Sequence, residues 1–262
     1  MARSIVITSG KGGVGKTTLT ANLGRALALM GKRVVLLDTD LGLNNLDVTM
    51  NIENKVVYDL IDVIENRCRA KQALIEDDLV KGLYIMPSAH TYEQSAVNGQ
   101  NIRSVIFTLK NYFDFVIIDC PAGIETGFHR AVAASNEAIV VTTPHLSAIK
   151  DAGRAINLIR DYQLGVSLVL NRVRGDLIMS SDMVSVADVA KLLRIETLGV
   201  IPEDDAYNQI INTGKLKLNS EAFEATKMLA KNLVYGTNTL YDPTLKYKGF
   251  LGGIKRSLRR KV

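Results

Sequence analysis

Residues 10–17 read Gly-Lys-Gly-Gly-Val-Gly-Lys-Thr, which fits the phosphate-binding pattern G-x-x-x-x-G-K-[ST]. The context fits as well: the β-branched run Ile5-Val6-Ile7-Thr8 leads in, and a helix-like stretch, Thr17 to Met30, follows. The residue types follow from the chemistry. Gly12, Gly13 and Gly15 let backbone N–H groups, including those of Val14 and Thr18, turn inward around phosphate oxygens. A helix starting near Lys16 adds unpaired N–H groups and the positive end of its dipole. Lys16 is placed to reach the outer phosphates, and the Thr17 hydroxyl is placed to ligate Mg²⁺. Lys11 is not required by the pattern and lies too early to replace Lys16, so it needs a separate explanation.

A loop of this kind needs a strand before it and a helix after it, and the rest of the chain repeats that alternation. Strands are expected at Ser4–Thr8, Arg33–Asp38, Leu83–Pro87, Phe115–Cys120, Ala138–Thr143, Val166–Asn171 and Thr197–Ile201. Helices are expected at Thr17–Met30, Val57–Glu65, Ile102–Tyr112, Gly127–Ala134, Ala148–Tyr162, Val184–Leu193 and Ser220–Val234. Several strand runs are almost unbroken Val, Ile and Leu, as in parallel strands buried on both faces. The pattern predicts one doubly wound, mostly parallel α/β sheet flanked by helices. Its boundaries are read as a nucleotide-binding domain over 1–235, a polar connector over 236–248 and a tail over 249–262. Ligands of such sheets sit at the carboxyl ends of the strands. Asp38-Thr39-Asp40, Asp119, Asn171 and Pro202 all fall there.

Composition sets limits. The 262 residues are 47% hydrophobic and 23% charged, as in globular proteins. No apolar run reaches membrane-spanning length. The chain runs directly into the first strand, so no signal or transit peptide is expected. Cys68 and Cys120 form no C-x-x-C, so reduced thiols are expected rather than a disulfide or metal site. The net charge of +5 is uneven: residues 246–262 hold seven basic and no acidic residues, and +5 less +7 leaves −2 for residues 1–245. The body therefore carries no excess charge for a general nucleic-acid surface.

The tail alternates with a helical period. Phe250, Leu251, Ile254 and Leu258 fall in one sector of about 100°, and Lys255, Arg256, Arg259 and Arg260 fall opposite. A basic amphipathic segment of this kind is expected to bind a membrane surface. Gly252 and Gly253 weaken the helix by about 1 kcal/mol each, so it should order only on contact. Burying four apolar side chains contributes about 6–10 kcal/mol, against an ordering cost of about 10–15 kcal/mol. Anionic lipid adds up to about 1 kcal/mol per basic residue. One tail is thus expected to bind weakly.

Together these motifs resemble the deviant Walker A ATPases, the P-loop ATPases of the ParA and MinD type, over residues 3 to about 233. Within that family the similarity is greatest to the members that position the division septum. The resemblance implies Mg²⁺ and ATP as cofactor and substrate. Lys11 matches the signature lysine that crosses an ATP-held homodimer to the partner's phosphates, and Lys16 and Thr17 match the loop lysine and Mg²⁺ ligand. Asp38, in the first switch, and Asp119, the Walker B carboxylate, are implied at the metal. Asp40 is implied to orient the attacking water. Asn45, in the following loop, is implied to sense the γ-phosphate, and Gly123 to meet it through its N–H. Asn171 and the backbone near Pro202 are implied at the adenine. A partner surface around Lys150, Asp151 and Arg154 is implied for a division inhibitor, MinC, and an activator, MinE, where these exist. Two tails on one dimer would gain avidity of about 10²–10⁴. The expected behaviour is therefore cytoplasmic, with ATP-driven peripheral attachment to the inner face of the cell membrane. A ParA-type DNA-partitioning ATPase shares the nucleotide motifs, but needs a basic body and no lipophilic tail. A flagellar-number regulator of the FlhG type carries an extension before the phosphate loop, where this chain has nine residues.

Overall fold

The Val/Ile/Leu runs do become strands buried on both sides. In a computed structural model, which describes residues 2–42, 45–89, 97–205 and 218–249, the strands are β1 (Arg3–Thr8), β2 (Val34–Asp38), β3 (Ile75–Glu76), β4 (Leu83–Met86), β5 (Phe115–Asp119), β6 (Glu137–Thr142), β7 (Gly165–Val173) and β8 (Thr197–Pro202). They form one sheet in the order β3-β4-β2-β5-β1-β6-β7-β8. Every pairing is parallel except the antiparallel β3–β4 edge. From β1 the chain winds to one side through β2 and β4, then returns through β5 and winds to the other through β6, β7 and β8. The carboxyl ends of β1, β2 and β5 therefore meet at the centre.

Alternate residues of each strand feed two cores. Ile5 and Ile7 of β1 pack with Leu19, Leu23 and Leu27 of helix α1 (Lys16–Leu29) and with Phe223 and Leu229 of the C-terminal helix Glu221–Tyr235. Val6 faces the opposite core, with Ile106, Phe128 and Ile149. The helices between are α2 (Asn45–Met50), α3 (Leu60–Ile64), α4 (Gly99–Leu109), α5 (Thr126–Ala134), α6 (Leu146–Asp161), α7 (Gly175–Met179) and α8 (Val186–Leu193); Glu221–Tyr235 is α9.

Caps explain where helices depart from the sequence expectation. α3 starts at Leu60 rather than Val57, because the Asp59 carboxylate accepts from the N–H groups of Ile61 and Asp62 while Asp62 returns a bond to the Asp59 N–H. α4 starts earlier than Ile102, because Asn98 and Asn101 form the same reciprocal box. β3, α2 and α7 are too short to carry a periodic signal. The strand expected at Val166–Asn171 continues to Val173. Its pairing with β8 shifts register between Leu170 and Val173, and Arg172 sits at φ 54°. A bulge here re-aims the side chains at the strand end.

Two long-range clamps hold the periphery. Arg25 of α1 and Asp77, beside β3, form a fully buried pair, with Nε–Oδ2 and Nη2–Oδ1 both at 3.2 Å. The stretch after α9 lies against the body. The Asn232 side chain donates to the carbonyls of Leu198 and Thr239 and accepts from Thr237 and Thr239. Tyr247 is buried, and the Pro243 carbonyl occupies the space a Cβ would need at Gly175. The tail residues Phe250, Leu251, Ile254, Lys255, Arg256, Leu258, Arg259 and Arg260 lie outside the described residues. No helix among the described residues is long and apolar enough to cross a membrane.

Candidate nucleotide site

The phosphate loop turns out of β1 and into α1. Ser9 Oγ donates to the Lys11 carbonyl at 2.7 Å and shapes the first turn. Two glycines are demanded by their surroundings. A Cβ at Gly10 would lie 2.0 Å from the Asp151 carbonyl of α6. Gly15 has φ 90°, and a Cβ there would meet the Asn171 amide nitrogen at 2.4 Å. Gly15 is also the N-cap of α1, and no side chain caps that end. Its first N–H groups are thus left to face an anion.

Lys16 is buried at the start of α1, and its positive charge acts on Asp40, Asp119 and Cys120. Asp119 ends β5 directly in register with Asp38 at the end of β2. Burial pushes the Asp119 carboxyl up to about 6, against hydrogen bonds from the Thr17 and Thr20 hydroxyls and the charge of Lys16. The Thr20 Oγ1–Asp119 Oδ1 distance is 3.1 Å. Burial, and then the Asp119 charge, hold the Asp38 carboxyl well above the usual carboxylate range. The N–H groups of Asp40 and Leu46 donate to Asp38 at 2.8 and 3.3 Å and oppose this. Asp40 is half-buried and raised by desolvation, with Lys16 pulling the other way. Thr39 joins the two acidic strand ends, donating its N–H and Oγ1 to the Asp119 carbonyl at 3.1 and 2.7 Å.

The result is a buried excess of carboxylate over ammonium beside an uncapped helix N-terminus. That donor set fits Mg²⁺: hard oxygen ligands, two carboxylates and the Thr17 hydroxyl. Among the described residues no group of three or more His, Cys, Asp or Glu could hold a metal alone. Substrate phosphates would therefore complete the coordination, which is the usual arrangement for this ion.

The other expected site residues are placed as follows. Gly123 (φ 88°) sits in the turn after β5. Asn45 is not in a loop but is the first residue of α2, since its neighbour Leu46 is tethered by N–H to Asp38. Asn171 is buried and donates to the Val14 carbonyl at 2.8 Å, so it braces the phosphate loop. It also lines, with Gly15, Thr18 and Pro202, a concavity of about 190 Å³ beside the loop. Lys11 is exposed on the outer side of the loop, where it and Gly12, Gly13 and Val14 border a second concavity of about 440 Å³ with His145, Arg172 and Arg174. Lys150 and Arg154 are exposed on α6, and Arg154 pairs with Asp151 at 3.4 Å. The Gly10–Asp151 contact sets this helix against the phosphate loop. Thr20 and Thr39 escape the sequence reading. Thr20 is one helical turn beyond Lys16, a spacing that puts both on one face. Thr39 offers no such signal.

A phosphate loop closing a central parallel strand, with Asp119 ending the adjacent strand β5 and Asp38 ending β2 beyond it, defines a P-loop nucleoside triphosphatase. The profile of the CobQ/CobB/MinD/ParA nucleotide binding domain matches residues 5–218. The septum site-determining protein MinD of Bacillus subtilis is 44% identical over 261 residues, 97% of each chain. MinD in the MinC:MinD cell division complex of Aquifex aeolicus superposes with a TM-score of 0.84 at 36% identity, over 92% of this chain and 98% of that one. MinD of Pyrococcus horikoshii complexed with Mg-ADP gives 0.80 at 31% identity, over 91% and 99%. The chain belongs to the MinD branch of the ParA/MinD family of nucleotide-binding P-loop ATPases.

Proposed function

We propose that this chain hydrolyses Mg-ATP slowly as a homodimer, and that ATP-dependent pairing places it on the inner membrane surface, where it recruits a division inhibitor and so positions the septum. The observation that supports this best is the pairing of a buried Lys16–Asp119–Asp38 cluster with an exposed Lys11 on the same loop. Lys16 and the α1 N-terminus hold the chain's own phosphates. Lys11, facing outward, is free to reach the phosphates of a second copy, where a lysine supplied in trans stabilises charge as an arginine finger does. Bound Mg²⁺ would offset the charge that develops on the phosphoryl oxygens. Asp40, raised by burial and restrained by Lys16, is suited to orient a water and accept its proton. Asn171 and Pro202 border the space assigned to adenine, and Asn45 and Gly123 are the residues assigned to the γ-phosphate.

MinC, named in the complex of the Aquifex relative, is the inhibitor proposed here, with Lys150, Asp151 and Arg154 as part of its surface, and MinE is the proposed activator. The tail supplies the lipid contact, and hydrolysis releases the dimer. Co-sedimentation with anionic liposomes, in ATP and in ADP, tests this with the full chain, a chain ending at Lys248 and Lys16→Ala. Pelleting is expected only for the full chain in ATP. Equal pelleting of Lys16→Ala would refute nucleotide control. Absence of pelleting, with DNA binding by the ATP form, would favour a DNA-partitioning role.

A further inference from the structure

A large concavity of the described residues lies away from the phosphate loop. It is a cleft of about 870 Å³ between the α3 end, with the short turn Ala70–Ala73 after it, and one side of α4. No residue of the phosphate loop, of the Asp38–Asp40 segment or of the Asp119–Gly123 segment lines it. Its α4 wall presents Ser104 and Thr108, one turn apart on one face, and Tyr112 follows in the turn after the helix. The two hydroxyls bond back to carbonyls of their own helix, Ser104 to Gln100 and Thr108 to Ser104. That leaves a shallow wall without unmet donors, against which a second helix can lie. Val105 and Leu109 lie buried beneath, and the half-buried Val63 and Ile64 with the exposed Tyr112 ring give the cleft its accessible apolar surface.

The charge on the lining has one sign. Arg67, Arg69 and Lys71 line the cleft and no carboxylate does. Arg67 is neutralised by Asp62 and Glu65 on the α3 side. Arg69 and Lys71 are exposed, and Lys71 lies over the Tyr112 ring at 4.0 Å from its centroid. An accessible apolar strip, a Ser/Thr wall and two cations without a carboxylate partner among the described residues make a groove complementary to one kind of occupant.

We infer that the α3–α4 cleft is a docking groove for an acidic amphipathic helical segment of a partner protein, seated on Val63, Ile64 and Tyr112 with its carboxylates toward Arg69 and Lys71. The site is independent of the nucleotide reading, and partners held near the phosphate loop would leave it free.

The cleft carries its own reporter. Cys68 lines it and is partly exposed, whereas Cys120 is buried with its thiol pushed up to about 12. Alkylation of the native chain therefore reads Cys68. The test uses the full chain in ADP and two fluorescein-labelled helical peptides of two to three turns, with the same leucine face and either glutamate or lysine on the other. Anisotropy should show the glutamate peptide binding about tenfold or more tightly than the lysine peptide. The doubly reversed variant Arg69→Glu/Lys71→Glu should invert that preference without changing ATP hydrolysis. Bound glutamate peptide should slow Cys68 alkylation severalfold. Equal binding of the two peptides, glutamate-peptide binding that survives the reversal, or an unchanged alkylation rate would each overturn the proposal.

Discussion

Two positions on α1 bury charge in opposite ways. Along its length Arg25 meets Asp77 one to one, in bidentate geometry, with both side chains almost wholly excluded from solvent. At its N-terminus one buried ammonium, Lys16, faces Asp119, Asp40 and, through the Asp119 register, Asp38. The first arrangement is complete and has nothing left to bind. The second leaves desolvated carboxylates with raised proton affinities, which is a cost that a proton or a bound cation relieves. One helix thus serves as a structural tie at one place and a binding end at another. The difference lies in whether its buried charges already balance.

The sharpest way to break the contrast is to remove the single ammonium. Lys16→Met should lower ATP hydrolysis by about 10³-fold or more, measured as phosphate release with anionic liposomes present; retained turnover would take Lys16 out of the mechanism. Asp40→Ala should also lose hydrolysis but keep ATP binding, so protein should accumulate on liposomes.

Next comes the complete pair. Asp77→Ala leaves an uncompensated buried guanidinium and should cost about 3–5 kcal/mol of stability, read from urea unfolding. Arg25→Met/Asp77→Leu, which removes both charges, should recover most of that loss. If the double variant is as unstable as the single one, the pair is not what Asp77→Ala disrupts.

The incomplete site should then show itself as a pH dependence. Asp119 in the folded chain titrates near 6, above the value of about 4 for an unfolded aspartate. The folded state thus binds the proton more tightly. The associated stability is fully present below about pH 4 and is lost as pH rises through about 6. Without nucleotide, wild type should lose about 1–3 kcal/mol relative to Asp119→Asn between pH 4.5 and 7. Thermal unfolding across that range checks it, and parallel curves would refute the shifted Asp119. Mg²⁺ with nucleotide should stabilise wild type more at pH 7.5 than at pH 5.5. The smallest effect is expected for Thr20→Ala, about 1 kcal/mol, from loss of one hydrogen bond to the Asp119 carboxylate.

Much of this was legible because parallel strands bury both faces. A continuous apolar run ended by a polar residue marks a strand and its carboxyl end together, which is how Asp38 and Asp119 stood out, whereas β7 runs two residues past Asn171 to Val173. Short elements failed for a physical reason. α2 and α7 complete too few turns to show a period, and β3 exists only by pairing with β4. Asn45 was read as a loop residue because nothing local announces that Asp38 holds the N–H of Leu46. The Asn171 bond to the Val14 carbonyl spans 157 residues, and no spacing rule reaches that far.

The sequence alone determined the phosphate loop, the alternation of strand and helix, the acidic strand ends and the amphipathic period of the tail, because each depends on residues close together in the chain. Only the tertiary structure decided that Asp38 and Asp119 lie in register, that α6 presses its Asp151 carbonyl on Gly10, that Arg25 finds Asp77, and that a basic-lined cleft opens between α3 and α4. Those are contacts across the sheet and between layers, and they exist only once the strands have taken their order.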